Sequence, residues 1–362
     1  MSKQTNKINN KEPLISFIMP CHNSSKTIEA AVESLLNQKY SNSIELIILN
    51  DGSTDNNKTH ITICELTKRY DNIKYLDIKN NIGQANARNK GISIARGKYI
   101  GFLDSDDTVY KNLIENIIKY IDEKYDVIVW GLIENHIDTK QNLVNNIKVL
   151  PKQGLYEGKD KIIDLAKNLE QKYMLGYLWN KIYSKRFLSK TKMTIPNEHL
   201  IEDEMFNIEV FKNANKIYCI NKPLYNYKRS NYGNDSLTSK ELPDYFEQYY
   251  KRINLLYQWF KDSNKLDNDT EEWLGSQYLR YALSAVWRIN NKPKTEKWFK
   301  RFYNLKLSKI LLPKAKAKGK IAKINTYLFK HKLTNLIMLE TKIITFTSKH
   351  MSKTMTKLKQ SK

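Results

Sequence analysis

Residues 14–24 read LISFIMPCHNS and residues 98–107 read KYIGFLDSDD. Each is an unbroken apolar run that stops at a polar cluster, the mark of a parallel strand buried on both faces with a loop at its carboxyl end. The same alternation repeats between them. A helix is expected after the first run, capped by Ser24 or Ser25, with Ile28, Val32, Leu35 and Leu36 at helical spacing. IELIIL at 44–49 reads as a second strand and ends in the turn Asn50-Asp51-Gly52-Ser53. A helix over about 56–70, the strand IKYLDI at 73–78 and a helix over about 84–95 follow. After the acidic cluster, one more helix and the strand YDVIVW at 125–130 complete five β-α alternations. This is an open α/β sheet. Ligands of such sheets bind beyond the carboxyl ends of the strands, where the clusters at 20–24, 50–55 and 104–107 fall. Neither G-x-G-x-x-G nor G-x-x-x-x-G-K-[ST] occurs, so the usual dinucleotide and P-loop fingerprints are absent.

Residues 131–235 are more mixed, with turns at Gly154 and Gly158, a strand-like run at 178–188 and a helix over about 203–212. No linker separates them from the first part. From about Leu242, large residues recur at helical spacing (Tyr245, Tyr249, Ile253, Tyr257), which predicts a helical appendage.

Composition sets the bounds. The 362 residues are 41% hydrophobic and 27% charged, with 12 Gly and 8 Pro, which excludes a wholly disordered or fibrous chain. The three cysteines, Cys21, Cys64 and Cys219, fit neither a disulfide framework nor a zinc ribbon, so a reducing compartment is expected. The opening MSKQTNKINNKEP lacks the apolar core of a secretory signal, and no run of 18 apolar residues predicts a spanning helix. The net charge of +23 is uneven: residues 292–362 hold 20 of the 61 Lys and Arg but two of the 38 acids. There, Ile321, Ile324, Leu328, Leu333, Leu336, Ile337, Ile343 and Ile344 recur at roughly helical spacing among lysines. This predicts a basic amphipathic segment suited to an anionic membrane surface. A solvated helix packing on its own domain is the plainer alternative. No nucleic-acid recognition motif accompanies the charge, so no nucleic-acid partner is expected.

Three carboxylates at one strand end, Asp104, Asp106 and Asp107, repel one another unless a cation sits among them. Magnesium or manganese is the natural partner, because hard divalent ions are shared between a carboxylate or two and a substrate diphosphate. A lone D-x-D-D is more often an acidic turn, and here its context decides. Asn81 to Gly91 read NIGQANARNKG, followed by Ala95-Arg96-Gly97 and the fourth strand. Together with Met19-Pro20-Cys21-His22-Asn23 and Asn50 to Asp55, NDGSTD, this series closely resembles glycosyltransferase family 2, inverting enzymes of the GT-A fold. The resemblance covers about residues 14–240.

What it implies is specific. Asp51 accepts a hydrogen bond from the uracil of a UDP-sugar, and Pro20, His22 and Asn23 wall the base. Ser53, Gly83, Arg88, Asp104 and Ser105 complete the donor site, with Asp104 on the ribose and Asp106 on the metal. The family usually has Tyr or Phe in place of His22. Ile201-Glu202-Asp203-Glu204 resembles the pair that supplies the catalytic base, with Asp203 as the base and Glu202 on the acceptor or orienting it. Trp179, Asn180 and Lys181 fall where relatives bind the acceptor, with core packing of Trp179 equally open. Arg229 and Ser236 fall in the loop that closes over the diphosphate.

The implied architecture is α/β: a flexible stretch at 1–13, a Rossmann-like GT-A domain at 14–240, a mainly helical region at 241–312 and a basic tail at 313–362. The implied reaction moves a sugar to a hydroxyl of a glycan or lipid-linked oligosaccharide, in capsule or cell-wall synthesis, at the cytoplasmic face of the membrane. The rivals are a nucleotidyltransferase that makes sugar nucleotides, which would want a glycine-rich loop after the first strand, and a non-catalytic glycan- or nucleic-acid-binding protein.

Overall fold

The computed structural model describes residues 12–121, 124–138, 142–198, 200–230, 244–289, 291–317 and 319–350. Most of the expected flexible stretch at 1–13, the end of the basic tail and Ser236 lie outside them. The chain divides into two compact units, residues 1–233 and 234–362.

The first unit is built on one mixed sheet. Strand β1 (Ile15–Cys21) is buried along its whole length, as its apolar run requires, and pairs in parallel with β2 (Ile44–Asp51) and β4 (Tyr99–Phe102); β3 (Ile73–Ile78) extends β2. Helices α1 (Ile28–Leu36), α2 (Lys58–Arg69) and α3 (Gln84–Ile94) make the crossovers. All four strands therefore end on the same edge, and the order reverses at β1, the position where α/β sheets open a crevice. Pro20 lies inside β1 without breaking it. Pairing with β4 stops at Ile18↔Phe102, so the amide that Pro20 lacks falls beyond the ladder on that side. The expected caps differ: Thr27 precedes α1 without a side-chain cap, and the Ser24 hydroxyl bonds Ser105 instead.

The second half of the sheet is not a continuation of the β-α repeat. After β5 (Thr108–Val109) and α4 (Leu113–Ile118) come β6 (Val127–Ile137), β7 (Leu143–Val149), β8 (Gly154–Glu157), α5 (Lys159–Gln171) and β9 (Lys181–Ser184). Helices α6 (Lys185–Thr191) and α7 (Glu202–Asn213) lead to the long β10 (Lys216–Ser230). Strand β9 inserts antiparallel between β4 and β6, giving the order β3-β2-β1-β4-β9-β6-β10-β5, with β7 beside β6 and β8 beside β10. The run at 178–188 is thus a short strand and then a helix. Ser184 ends the strand and caps α6 by accepting the Phe187 amide. The core of this unit packs Phe17, Phe102, Trp130, Tyr183 and Phe206, each at most 2% exposed.

The second unit is helical: α8 (Tyr245–Asp262), α9 (Asn268–Ile289), α10 (Lys292–Asn304), α11 (Lys306–Leu311), α12 (Lys320–Lys330) and α13 (Thr334–His350). The Tyr245/Ile253/Tyr257 face of α8 is buried, and Tyr249 stacks on Tyr281 of α9 with ring centroids 3.9 Å apart. The segment expected to be a separate tail packs in part as core: Phe329 and Ile337 are fully buried, and Phe329 lies 5.8 Å from both Phe299 and Phe302. No described helix is long and apolar enough to cross a membrane.

Candidate active site

Three loops meet at the edge where β1, β2 and β4 end. Asn23, at φ 53°, donates its backbone amide to Ser53 Oγ (2.9 Å), while its side-chain oxygen accepts the Thr54 amide (2.7 Å). Ser53 Oγ donates to Asn50, and Ser24 and Ser105 share a 2.8 Å hydroxyl bond. Ser53 and Ser105 thus tie loops to one another. His22 is exposed; its Nδ1 lies 2.8 Å from the Asp51 carbonyl oxygen and its Nε2 3.2 Å from Asn23 Nδ2. The Nδ1–H tautomer serves both contacts, donating to the carbonyl and accepting from the amide.

The buried Asp51 carboxylate accepts the amides of Ile82 (2.7 Å) and Gly83 (3.0 Å), one on each oxygen, where the chain enters α3. One lone pair per oxygen stays open to a further donor. Two glycines permit this. Gly52 has φ +63°, and a Cβ there would lie 2.5 Å from the Asn81 backbone nitrogen; Gly83 has φ +85°.

Arg88, on α3, is the centre of the second cluster. Its side chain is 3% exposed, and it donates from Nη2 to Asp104 Oδ1 (3.1 Å) and from Nη1 to Asp203 Oδ1 (2.9 Å). One buried guanidinium therefore joins the carboxylate that follows β4 to the carboxylate that opens α7. Burial acts against its charge, and Asp203, Asp104 and Glu202 more than offset that, so it stays a cation. Burial pushes the Asp203 carboxyl up to about 7 against the pull of Arg88, with Glu202 and Asp104 adding to the rise. The Glu202 carboxyl is also raised by burial, opposed by Arg88 and reinforced by Glu204 and Asp104.

Two side chains that the sequence reading gave no role hold this geometry. Asn89 and Ile195 exchange hydrogen bonds (2.7 and 2.9 Å), fixing α3 to the segment before α7. Asn207 donates to the carbonyls of Gly176 and Asp203 and accepts from Tyr183 OH (2.7 Å). Their signal in the sequence was an amide near a motif, which separates them from no other asparagine.

The acidic turn separates into distinct jobs. Asp107 is 2% exposed and accepts from Tyr225 OH (3.0 Å) and from the Lys228 amide (2.9 Å), pinning the turn to β10. Burial and then the charges of Asp106 and Asp104 lift its carboxyl well above the ordinary range. Asp106 is exposed; desolvation by its surroundings and the negative Asp104 raise its carboxyl, with Lys228 opposing. No group of three His, Cys, Asp or Glu among the described residues is arranged to hold a metal by itself. An exposed carboxylate crowded by like charge is nonetheless a fitting ligand for a hard divalent ion whose other oxygens come from a diphosphate.

The structure buries Trp179, Asn180 and Lys181, the residues expected at the acceptor. Asn180 and Lys181 are fully buried, and Lys181 Nζ donates to the carbonyls of Met174 (3.0 Å) and Tyr177 (2.5 Å) and to Asn180 Oδ1 (2.6 Å). That uses every donor an ammonium has, while burial depresses its pKa well below the lysine range. Trp179 is 4% exposed and stacks on Tyr225 (4.0 Å) and Tyr177 (4.3 Å). Its face is spent on the tyrosine that holds Asp107. Arg229 has a half-exposed side chain and donates to Glu134 Oε1 at 2.7 Å.

The family model described as "Glycosyl transferase family 2" matches residues 16–191. Glycosyltransferase GlyG of Streptococcus pneumoniae serotype 4 is 31% identical over 233 residues, 60% of this chain and 71% of GlyG. The putative glycosyltransferase EpsH of Bacillus subtilis is 29% identical over 228 residues, 60% of this chain and 61% of its own. Among solved structures, S. aureus TarS 1-349 in complex with UDP-GlcNAc superposes with a TM-score of 0.59 at 19% identity, covering 90% of this chain and 88% of that 1-349 chain. That likeness establishes the fold, a GT-A sheet with a helical C-terminal region. The fold, the motif series along its open edge and the identity to GlyG agree, and the chain belongs to glycosyltransferase family 2.

Proposed function

We propose that this glycosyltransferase moves one sugar, with inversion, from a UDP-sugar to a hydroxyl of a glycan acceptor, using Asp203 as base and Asp106 as the protein ligand of a magnesium or manganese ion. The observation that carries the reading is the buried Arg88 bridge, which holds Asp104, on the donor side, and Asp203 on one guanidinium. A base for inverting displacement must reach the acceptor hydroxyl, which attacks the anomeric carbon from the side opposite the leaving group. A carboxyl with a pKa of about 7 is a far better proton acceptor near neutrality than an ordinary aspartate.

In this reading the open lone pairs of Asp51 receive the imide N–H of uracil, and His22 and Pro20 lie along the base. Arg88 acts inside the protein, setting the two carboxylates, in place of the nucleotide contact expected from sequence. The acceptor oxygen attacks the anomeric carbon as the bond from that carbon to the diphosphate breaks, UDP leaves with the electron pair, and the acceptor proton passes to Asp203. A bound divalent ion supplies charge neutralisation to the departing diphosphate. An α-linked donor yields a β-linkage. The complex of TarS with UDP-GlcNAc supports a uridine donor and an N-acetylhexosaminyl group among the first to try. A panel of UDP-sugars assayed for UDP release tests the proposal. Turnover of at least one, lost in Asp203→Asn with UDP binding retained, is expected; UDP binding lost together with turnover would move Asp203 into the donor site.

A further inference from the structure

The second unit presents large apolar side chains to solvent in one place only among its described residues. Ile324 (56% exposed), Tyr327 (57%), Leu333 (37%), Leu336 (49%) and Leu339 (54%) all fall on α12, α13 and the turn between them. The periodicity shows that this is an outer face. On α12, Phe329 and Leu328 turn inward while Ile324 and Tyr327, three apart, turn outward; on α13, Ile337 is buried and Leu336 and Leu339 are not. The two helices are joined by the Asn325 to Glu340 hydrogen bond (3.1 Å). Residues 320–342 carry five lysines, Lys320, Lys323, Lys330, Lys332 and Lys342, all exposed, against the single acid Glu340.

Apolar side chains standing singly among lysines suit the boundary between lipid head groups and acyl chains, where ammonium groups reach outward past a buried apolar tip. We propose that the outer face of the α12–α13 hairpin docks on an anionic lipid bilayer, with Ile324, Tyr327, Leu333, Leu336 and Leu339 entering the interface and the lysines meeting the head groups. Charge decides between this occupant and a second copy of the chain. Pairing two such faces sets five lysines against five, whereas a negative leaflet attracts every one. The inference concerns the second unit alone and stands whether or not the donor and base assignments do.

The test is co-sedimentation of the full chain with vesicles of phosphatidylglycerol and phosphatidylcholine. Binding to phosphatidylglycerol vesicles at low salt should exceed that to pure phosphatidylcholine by about tenfold or more and fall as salt screens the lysines. The variant Ile324→Ser/Leu336→Ser/Leu339→Ser should bind at least about tenfold more weakly with an unchanged melting temperature, since exposed positions are replaced. Lys320→Gln/Lys323→Gln/Lys330→Gln should lose the preference for anionic lipid. Equal binding to both lipids, no binding by the wild type, or serine and glutamine variants that bind like the wild type would each overturn the proposal. So would a dimer in solution that the serine variant abolishes.

Discussion

Asp203 and Arg88 are 115 residues apart in sequence, yet a hydrogen bond of 2.9 Å joins them. The proposed base acts only when ionised, so turnover should fall about tenfold per pH unit below about 7, as Asp203 takes up its proton, and level off above. Arg88→Met removes the cation that does most to pull the Asp203 pKa down. The acid limb of the pH–rate profile should then move upward by about 1–3 units, the usual effect of an adjacent opposite charge. A melting curve on the same variant guards against simple unfolding, since two carboxylates lose their shared partner. Asp106→Asn, or chelation of the wild type, should abolish transfer, with activity returning on adding manganese after chelation; full activity in excess chelator would rule the metal role out. Motif order made these residues legible one by one. Their contacts were not, because a pairing across more than a hundred residues leaves no local pattern. Nor could the sequence show that Lys181 lies buried among carbonyl oxygens.

At the scale of elements, β1, β2 and β4 were legible because each is a buried apolar run closed by a turn signal, and α7 and α8 also fall where helices were expected. Strands β7 and β10 were not legible. Strand β7 reads LVNNIKV and is exposed nearly throughout, so it has no inward face to betray it. Strand β10 carries Pro223 at a break in its register with β6 and mixes charge with aromatics along its 15 residues. The loop after β2 offers a direct test of how elements support the donor site. Gly52→Ala places a methyl against the Asn81 backbone and strains a positive φ, which alone costs about 1–2 kcal/mol. The Asn80–Gly83 segment has to give, taking with it the amides that hold Asp51. A lower melting temperature and weaker UDP binding by calorimetry are expected together, with the pH dependence of turnover unchanged.

For the whole molecule, charge asymmetry was plain in the sequence, while the packing of the basic segment was not, because burial of Phe329 and Ile337 is decided by partners elsewhere in the helical unit. A chain ending near Leu312 therefore does not simply lose a tail. Loss of a buried phenylalanine costs about 3–5 kcal/mol, so this truncation should lower the melting temperature of the second unit, measured by calorimetry. Another long-range tie bears on how the enzyme comes into being. The acidic turn is pinned by Tyr225 and Lys228, 118 and 121 residues downstream of Asp107. Contacts of such sequence separation form late, after local helices and neighbouring strands have assembled. On the ribosome, strands β1 to β4 can emerge and pair while their acidic turn still waits for β10. The acidic turn therefore cannot take its described hydrogen bonds until β10 has been synthesised.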